Sequence, residues 1–185
     1  MRHIPNILST LRILLIPVFA VLMLGGETFG AGIVLVLSGL TDLLDGFLAR
    51  RFDWVSPLGK VLDPVADKLT QVTVCIVMAI KLHRYWPFFV LLILKDAVML
   101  LLGGYLLTKG IRIEGAKWFG KVVTALFYVT MAAIVFIPTM PKWVTLTLLG
   151  LTTAAAIGAG LLYIPDFLRY RRQAKSRRQE ADEQA

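Results

Sequence analysis

Residues 30–81 read GAGIVLVLSGLTDLLDGFLARRFDWVSPLGKVLDPVADKLTQVTVCIVMAIK. Two apolar runs of membrane length, 30–50 and 60–81, flank a short break from Asp53 to Pro57 that carries turn chemistry. The stretch predicts two membrane helices joined by a short connection, and such a connection makes them antiparallel neighbours. Four carboxylates interrupt the apolar runs: Asp42 and Asp45 in the first, Asp63 and Asp67 in the second. A carboxylate near mid-bilayer costs about 2.5–3.5 kcal/mol even on the mild insertion scale, so an acid kept there is a functional candidate by default.

The rest of the chain extends the same pattern. It has 185 residues, 57% hydrophobic and only 17% charged, with mean hydropathy +0.74, too apolar for a soluble domain. Six apolar runs, at about 11–25, 30–50, 60–81, 86–108, 118–137 and 143–166, approach the length that a bilayer requires. Their separators are short: Gly25-Gly26, Asp53 to Pro57, His83 to Pro87, Lys109-Gly110, and Pro138 with Pro141. The expected fold is an all-α membrane protein of six transmembrane helices. An N-terminal amphipathic segment, Met1 to Leu11, is expected to lie along the interface with Arg12 at head-group level. Residues 1–168 form the expected membrane domain and 169–185 a basic, polar cytoplasmic tail. A signal peptide over 1–24 ranks second, because it leaves five spans and loses the charge pattern that follows.

Charge placement sets the orientation. With six spans both termini share a side, and that side collects 16 Lys and Arg residues against Lys81, Arg84 and Lys142 on the other. Both termini and the acidic cluster are therefore expected in the cytoplasm of a multi-pass cell-membrane protein. The formal charge of +8 suits anionic phosphates or lipid head groups. It does not imply nucleic acid, because no base-stacking aromatics interleave the cations. The single cysteine, Cys75, excludes a disulfide framework and a Cys-rich metal site and reads as a packing residue.

The spacing of the acids points to chemistry. Asp42, Asp45, Gly46 and Ala49 follow i, i+3, i+4, i+7 and share one helical stripe, and Asp63 and Asp67 share another at i, i+4. If the stripes face, four carboxylates converge, and they must take up protons or bind cations. An all-oxygen set selects hard divalent ions, and a pair of such ions is a clamp for phosphoryl transfer. Gly46, Ala49 and Gly59 leave room for a nucleotide or a close backbone. Two rival readings are a structural charge network with Arg50, Arg51, Lys60 and Lys68, and a carboxylate-lined cation transporter. A transporter usually shows duplicated halves with broken helices, whereas residues 95–166 contain only Asp96, Glu114 and Asp166 as acids.

Taken in full, Asp42, Asp45, Gly46, Ala49, Arg50, Gly59, Asp63 and Asp67 resemble the motif of the CDP-alcohol phosphatidyltransferases at every defined position. The stretches Pro5-Asn6 through Arg12 and Gly59 to Lys68 also look like those of the phosphatidylglycerophosphate synthases in that family. The resemblance implies a six-helix membrane enzyme that transfers the phosphatidyl group of CDP-diacylglycerol to an alcohol and releases CMP. It implies that Asp42, Asp45, Asp63 and Asp67 hold two divalent ions, Mg²⁺ or Mn²⁺, and that Asp67 is the general base. By the same resemblance Gly46, Ala49 and Gly59 make space for the cytidine nucleotide and Arg50 neutralises its phosphates.

The acceptor is expected to be a small phosphorylated alcohol bound by Lys95, Arg112 and Lys121, with glycerol 3-phosphate preferred. Gly120-Lys121 with Thr124 resembles a segment of the glycerol-phosphate-using members. Lys95-Asp96 departs from the Arg-Glu of those members and looks closer to the cardiolipin synthases, so phosphatidylglycerol is the alternative acceptor. Asp96 can orient Lys95, pair with another span's cation, or touch acceptor hydroxyls. The glycines of the fourth span (Gly103-Gly104) and sixth span (Gly150, Gly158, Gly160) can serve as intramolecular or homodimer faces, with intramolecular packing the safer reading.

Overall fold

A computed structural model of the chain describes residues 4–52, 59–108 and 118–162, with the side chains of 4, 5, 46–50, 60, 61, 103, 105–108 and 118 excluded. The described residues form six α-helices and no strand: α1 (Ile4–Gly25), α2 (Thr28–Arg51), α3 (Gly59–Lys81), α4 (Trp86–Thr108), α5 (Trp118–Phe136) and α6 (Lys142–Leu161), with a short 3-10 turn, His83–Tyr85, before α4. Five of them contain stretches long and apolar enough to cross a membrane: Asn6–Gly25, Thr28–Asp45, His83–Leu102, Phe119–Phe136 and Lys142–Leu161. The exception is α3. At 23 residues it has the length, but Lys60, Asp63, Asp67 and Lys68 crowd its first half.

From Ile4 onward the stretch expected at the interface is continuous with the first span, since α1 runs without a break to Gly25. It ends where Gly26 takes a left-handed backbone, φ +95°, and its N–H bonds the Met23 carbonyl at 3.3 Å. Glycine adopts that conformation without the penalty of a Cβ. α2 follows within two residues.

Main helix contacts join α1 to α2 and α3, α2 to α5, α5 to α6, α6 to α4, and α4 to α3, which closes a ring of six. The connection at 52–58 led to the expectation that α2 and α3 pack directly. Instead α1 packs against both, and α2 with α3 is not among the main contacts. Two glycines set the α2–α5 approach. A Cβ at Gly32 would lie 2.6 Å from the Phe136 ring, and one at Gly39 would lie 3.2 Å from the Tyr128 ring. Small residues let membrane helices approach this closely.

The burial pattern is reversed relative to a soluble bundle. Outward positions carry large apolar side chains, such as Val21 and Leu101. Inside, an apolar core of Phe19, Leu35, Met78, Phe89, Met131 and Leu149 sits beside fully or nearly buried Arg12, Asp45, Asp96, Thr130 and Thr152. Thr130 and Thr152 share a 2.8 Å hydrogen bond between α5 and α6. Where lipid is the solvent, polar groups turn inward and link helices in this way. Cys75 belongs to the apolar core.

Candidate active site

The site begins with the helical spacing of α2 and α3. Asp42 and Asp45 lie about one turn apart on α2, and Asp63 and Asp67 one turn apart on α3. One oxygen from each of Asp42, Asp45 and Asp63 lies within 4.8 Å of the others. Oxygens that share one divalent ion lie at most about twice the metal–oxygen distance apart, roughly 4–5 Å. The triad fits that limit, and its all-oxygen donor set suits a hard cation.

Asp67 stands beside the triad and outside it. Its side chain lines a cavity of about 490 Å³ between α2, α3 and α5, together with Asp42, Asp63, Lys121, Thr124 and Tyr128. The Oδ1 atom of Asp67 is buried with no hydrogen-bond partner among the described residues. The remaining wall, including Leu35, Val36, Leu40 and Val129, is apolar. Carboxylates and one ammonium group thus line one part of the chamber, and hydrocarbon lines the rest.

The cation inside the triad comes from α1. Arg12 is completely buried, and its Nη1 lies 2.6 Å from Asp42 Oδ1. Its Nη2 pairs with Asp45 Oδ2 and lies 3.6 Å from Asp63 Oδ1. Ser9, one turn earlier on α1, donates to Asp45 Oδ2 at 3.4 Å. Because α1 packs against both α2 and α3, one guanidinium reaches carboxylates on each. The expected place of Arg12 was the head-group level, and its place in the fold is the carboxylate cluster. The signal that marks it is a charge preceding an apolar run and about one helical turn from Ser9.

The sequence profile of the CDP-alcohol phosphatidyltransferases matches residues 2–158. The chain belongs to the CDP-alcohol phosphatidyltransferase family. It is therefore a transferase of phospholipid biosynthesis, and the five apolar helices fit a membrane enzyme. A Mycobacterium tuberculosis protein provisionally named cardiolipin synthase is 35% identical over 141 residues, covering 76% of this chain and 68% of the relative. The Escherichia coli K12 protein named CDP-diacylglycerol–glycerol-3-phosphate 3-phosphatidyltransferase is 30% identical over 161 residues, covering 84% of this chain and 87% of the relative. Membership in a transferase family displaces the cation-transporter reading.

In this phosphatidyltransferase the motif residues divide into three groups. Asp42, Asp45 and Asp63 meet, and Asp67 shares their cavity. Gly46, Ala49 and Arg50 continue α2 and Gly59 opens α3, but the side chains of 46–50 lie outside the described residues, as do Arg112 and the tail from 163 onward. The acceptor candidates separate. Lys121 lines the carboxylate cavity, whereas Lys95 Nζ lies 2.5 Å from Asp96 Oδ1. Lys68 Nζ reaches the same oxygen at 3.0 Å and also donates to Gln71 Oε1 at 3.0 Å. That cluster borders a separate cavity of about 20 Å³ between α3, α4, α5 and α6. Asp96 thus pairs with its neighbour and with another helix's cation at once.

Proposed function

We propose that this enzyme transfers the phosphatidyl group of CDP-diacylglycerol to glycerol 3-phosphate, giving phosphatidylglycerophosphate and CMP. The observation that carries this reading is the cavity that Asp42, Asp63 and Asp67 line together with Lys121. A carboxylate cluster serves the reacting phosphate, and a lysine beside it serves a second phosphate on the acceptor. The Escherichia coli relative, matched over 87% of its length, carries the name of that activity.

In the proposed mechanism the acceptor hydroxyl attacks the phosphatidyl phosphorus. A new phosphorus–oxygen bond forms as the bond to CMP breaks. Asp67 takes the hydroxyl proton, a role suited to its unpartnered oxygen in the cavity. Asp42, Asp45, Asp63 and Asp67 would hold two divalent ions, Mg²⁺ or Mn²⁺, whose charge would offset that of the phosphates and the departing CMP. Gly46, Ala49 and Gly59 make room for the nucleotide, and Arg50 neutralises its phosphates. Lys121 and Arg112 receive the acceptor phosphate; Lys95, the third acceptor candidate, pairs with Asp96 at a separate cavity, and its part in acceptor binding is the weakest of the three. The apolar cavity wall accommodates lipid. The proposed topology counts α3 as a sixth span, with both termini and the active site cytoplasmic and residues 169–185 as a basic tail.

A second reading, transfer to phosphatidylglycerol, is favoured by the Mycobacterium tuberculosis relative and by Lys95-Asp96. Purified protein given labelled CDP-diacylglycerol, Mg²⁺ or Mn²⁺ and a panel of alcohols separates the two. Phosphatidylglycerophosphate formed from glycerol 3-phosphate supports the first. Cardiolipin from phosphatidylglycerol, with no product from glycerol 3-phosphate, replaces it with the second.

A further inference from the structure

The guanidinium of Arg12 contacts the same three carboxylates, Asp42, Asp45 and Asp63, whose oxygens converge closely enough for one divalent ion. It arrives from a third helix and is wholly buried. Three ionised carboxylates gathered this closely, Asp45 buried and Asp42 and Asp63 part-buried, repel one another and are stabilised by a cation nearby. Among the described residues that pair with the triad, Arg12 supplies one positive charge against three negative ones, and a divalent ion would add two more. A guanidinium cannot lose its proton to make way for a metal. Its charge therefore opposes an incoming ion at the same oxygens, and the two cations must share or exchange carboxylate contacts.

We propose that Arg12 is the resident counter-cation of the metal site. It holds α1, α2 and α3 together at the triad when no divalent ion is bound, and it weakens the ion's affinity by competing for the same carboxylates. The inference rests on the metal-binding reading of the aspartates given above. It assigns Arg12 a positioning role that sets how tightly the site holds metal, with no part in bond making.

The test is Mn²⁺ binding to purified protein without substrate, read from the free-ion electron paramagnetic resonance signal. Wild type, Arg12→Gln and Arg12→Lys are compared, each purified with Mn²⁺ and then stripped. Arg12→Gln should bind Mn²⁺ about tenfold tighter or more than wild type. Its metal-free form should melt at a lower temperature, and Mn²⁺ should raise that temperature by more than it does in wild type. Arg12→Lys keeps the charge but loses the fork that reaches two carboxylates together, and it should bind with intermediate affinity. If Arg12→Gln does not survive purification, the lysine variant alone decides. A purely structural arginine would give the opposite sign, because its loss would disorder the triad and weaken binding. Equal or weaker Mn²⁺ affinity in the variants, beside a wild type that binds, overturns the counter-cation role and leaves the metal site standing. A wild type that binds no Mn²⁺ overturns both.

Discussion

Replacing Lys121 with alanine tests how the cavity divides its labour. Lys121 lines the chamber that holds Asp42, Asp63 and Asp67, and its side chain is exposed enough for partial solvation of the contact. A hydrogen bond to a charged group contributes about 1.5–3 kcal/mol, and solvation places this one in the lower part of that range. At about 1.4 kcal/mol per factor of ten, Lys121→Ala should raise KM for glycerol 3-phosphate roughly 10- to 30-fold. KM for CDP-diacylglycerol should stay within about threefold, because the proposed nucleotide contacts fall to Gly46, Ala49, Arg50 and Gly59 and not to Lys121. Lys121→Arg keeps a cation able to bind phosphate and should recover most of the loss. Lys95→Ala is the control. Its ammonium is committed to Asp96 in a different cavity, so KM for the acceptor should change less than in Lys121→Ala. Steady-state kinetics in mixed micelles, varying each substrate in turn, reads both constants. Equal increases in the two KM values for Lys121→Ala, or none in either, would refute the assignment.

Two other substitutions probe the remaining carboxylates. Asp67→Asn should lower kcat by about 10²–10⁴-fold, the usual contribution of a general base, while Mn²⁺ binding by the triad persists; near-normal kcat would remove Asp67 from that role. Asp96→Asn leaves the ammonium groups of Lys68 and Lys95 without the charge they share. Breaking one side of a buried pair costs about 3–5 kcal/mol, and the partial exposure of both lysines points to the lower end. Thermal unfolding in detergent should show a clear fall in melting temperature, and an unchanged value would contradict the pairing.

Much of this site is legible in the sequence because α3 is strongly patterned. Its acids recur at i, i+4, and that periodicity alone puts Asp63 and Asp67 on one face. α2 likewise announces Asp42 and Asp45. The order of packing is not legible. A short connection suggests that α2 and α3 pair directly, but the interior favours α1 between them, where Arg12 offsets charge on both helices. Chain connectivity carries no trace of that preference. The fate of Lys95 is hidden for another reason. α4 is apolar nearly all round apart from Lys95-Asp96, so no stripe tells which way those two residues turn. Gly32 and Gly39 escape a reading by composition as well, although their seven-residue spacing puts them on the face that α5 approaches.

Metal-dependent phosphatidyl transfer in the aspartate cavity is tested most directly by labelled CMP release from CDP-diacylglycerol and glycerol 3-phosphate by purified protein, measured as divalent ions are chelated and then restored. Release should fall to background on chelation and return with Mg²⁺ or Mn²⁺. CMP release that persists at full rate without divalent ions, or that never occurs with any alcohol acceptor, would contradict the account.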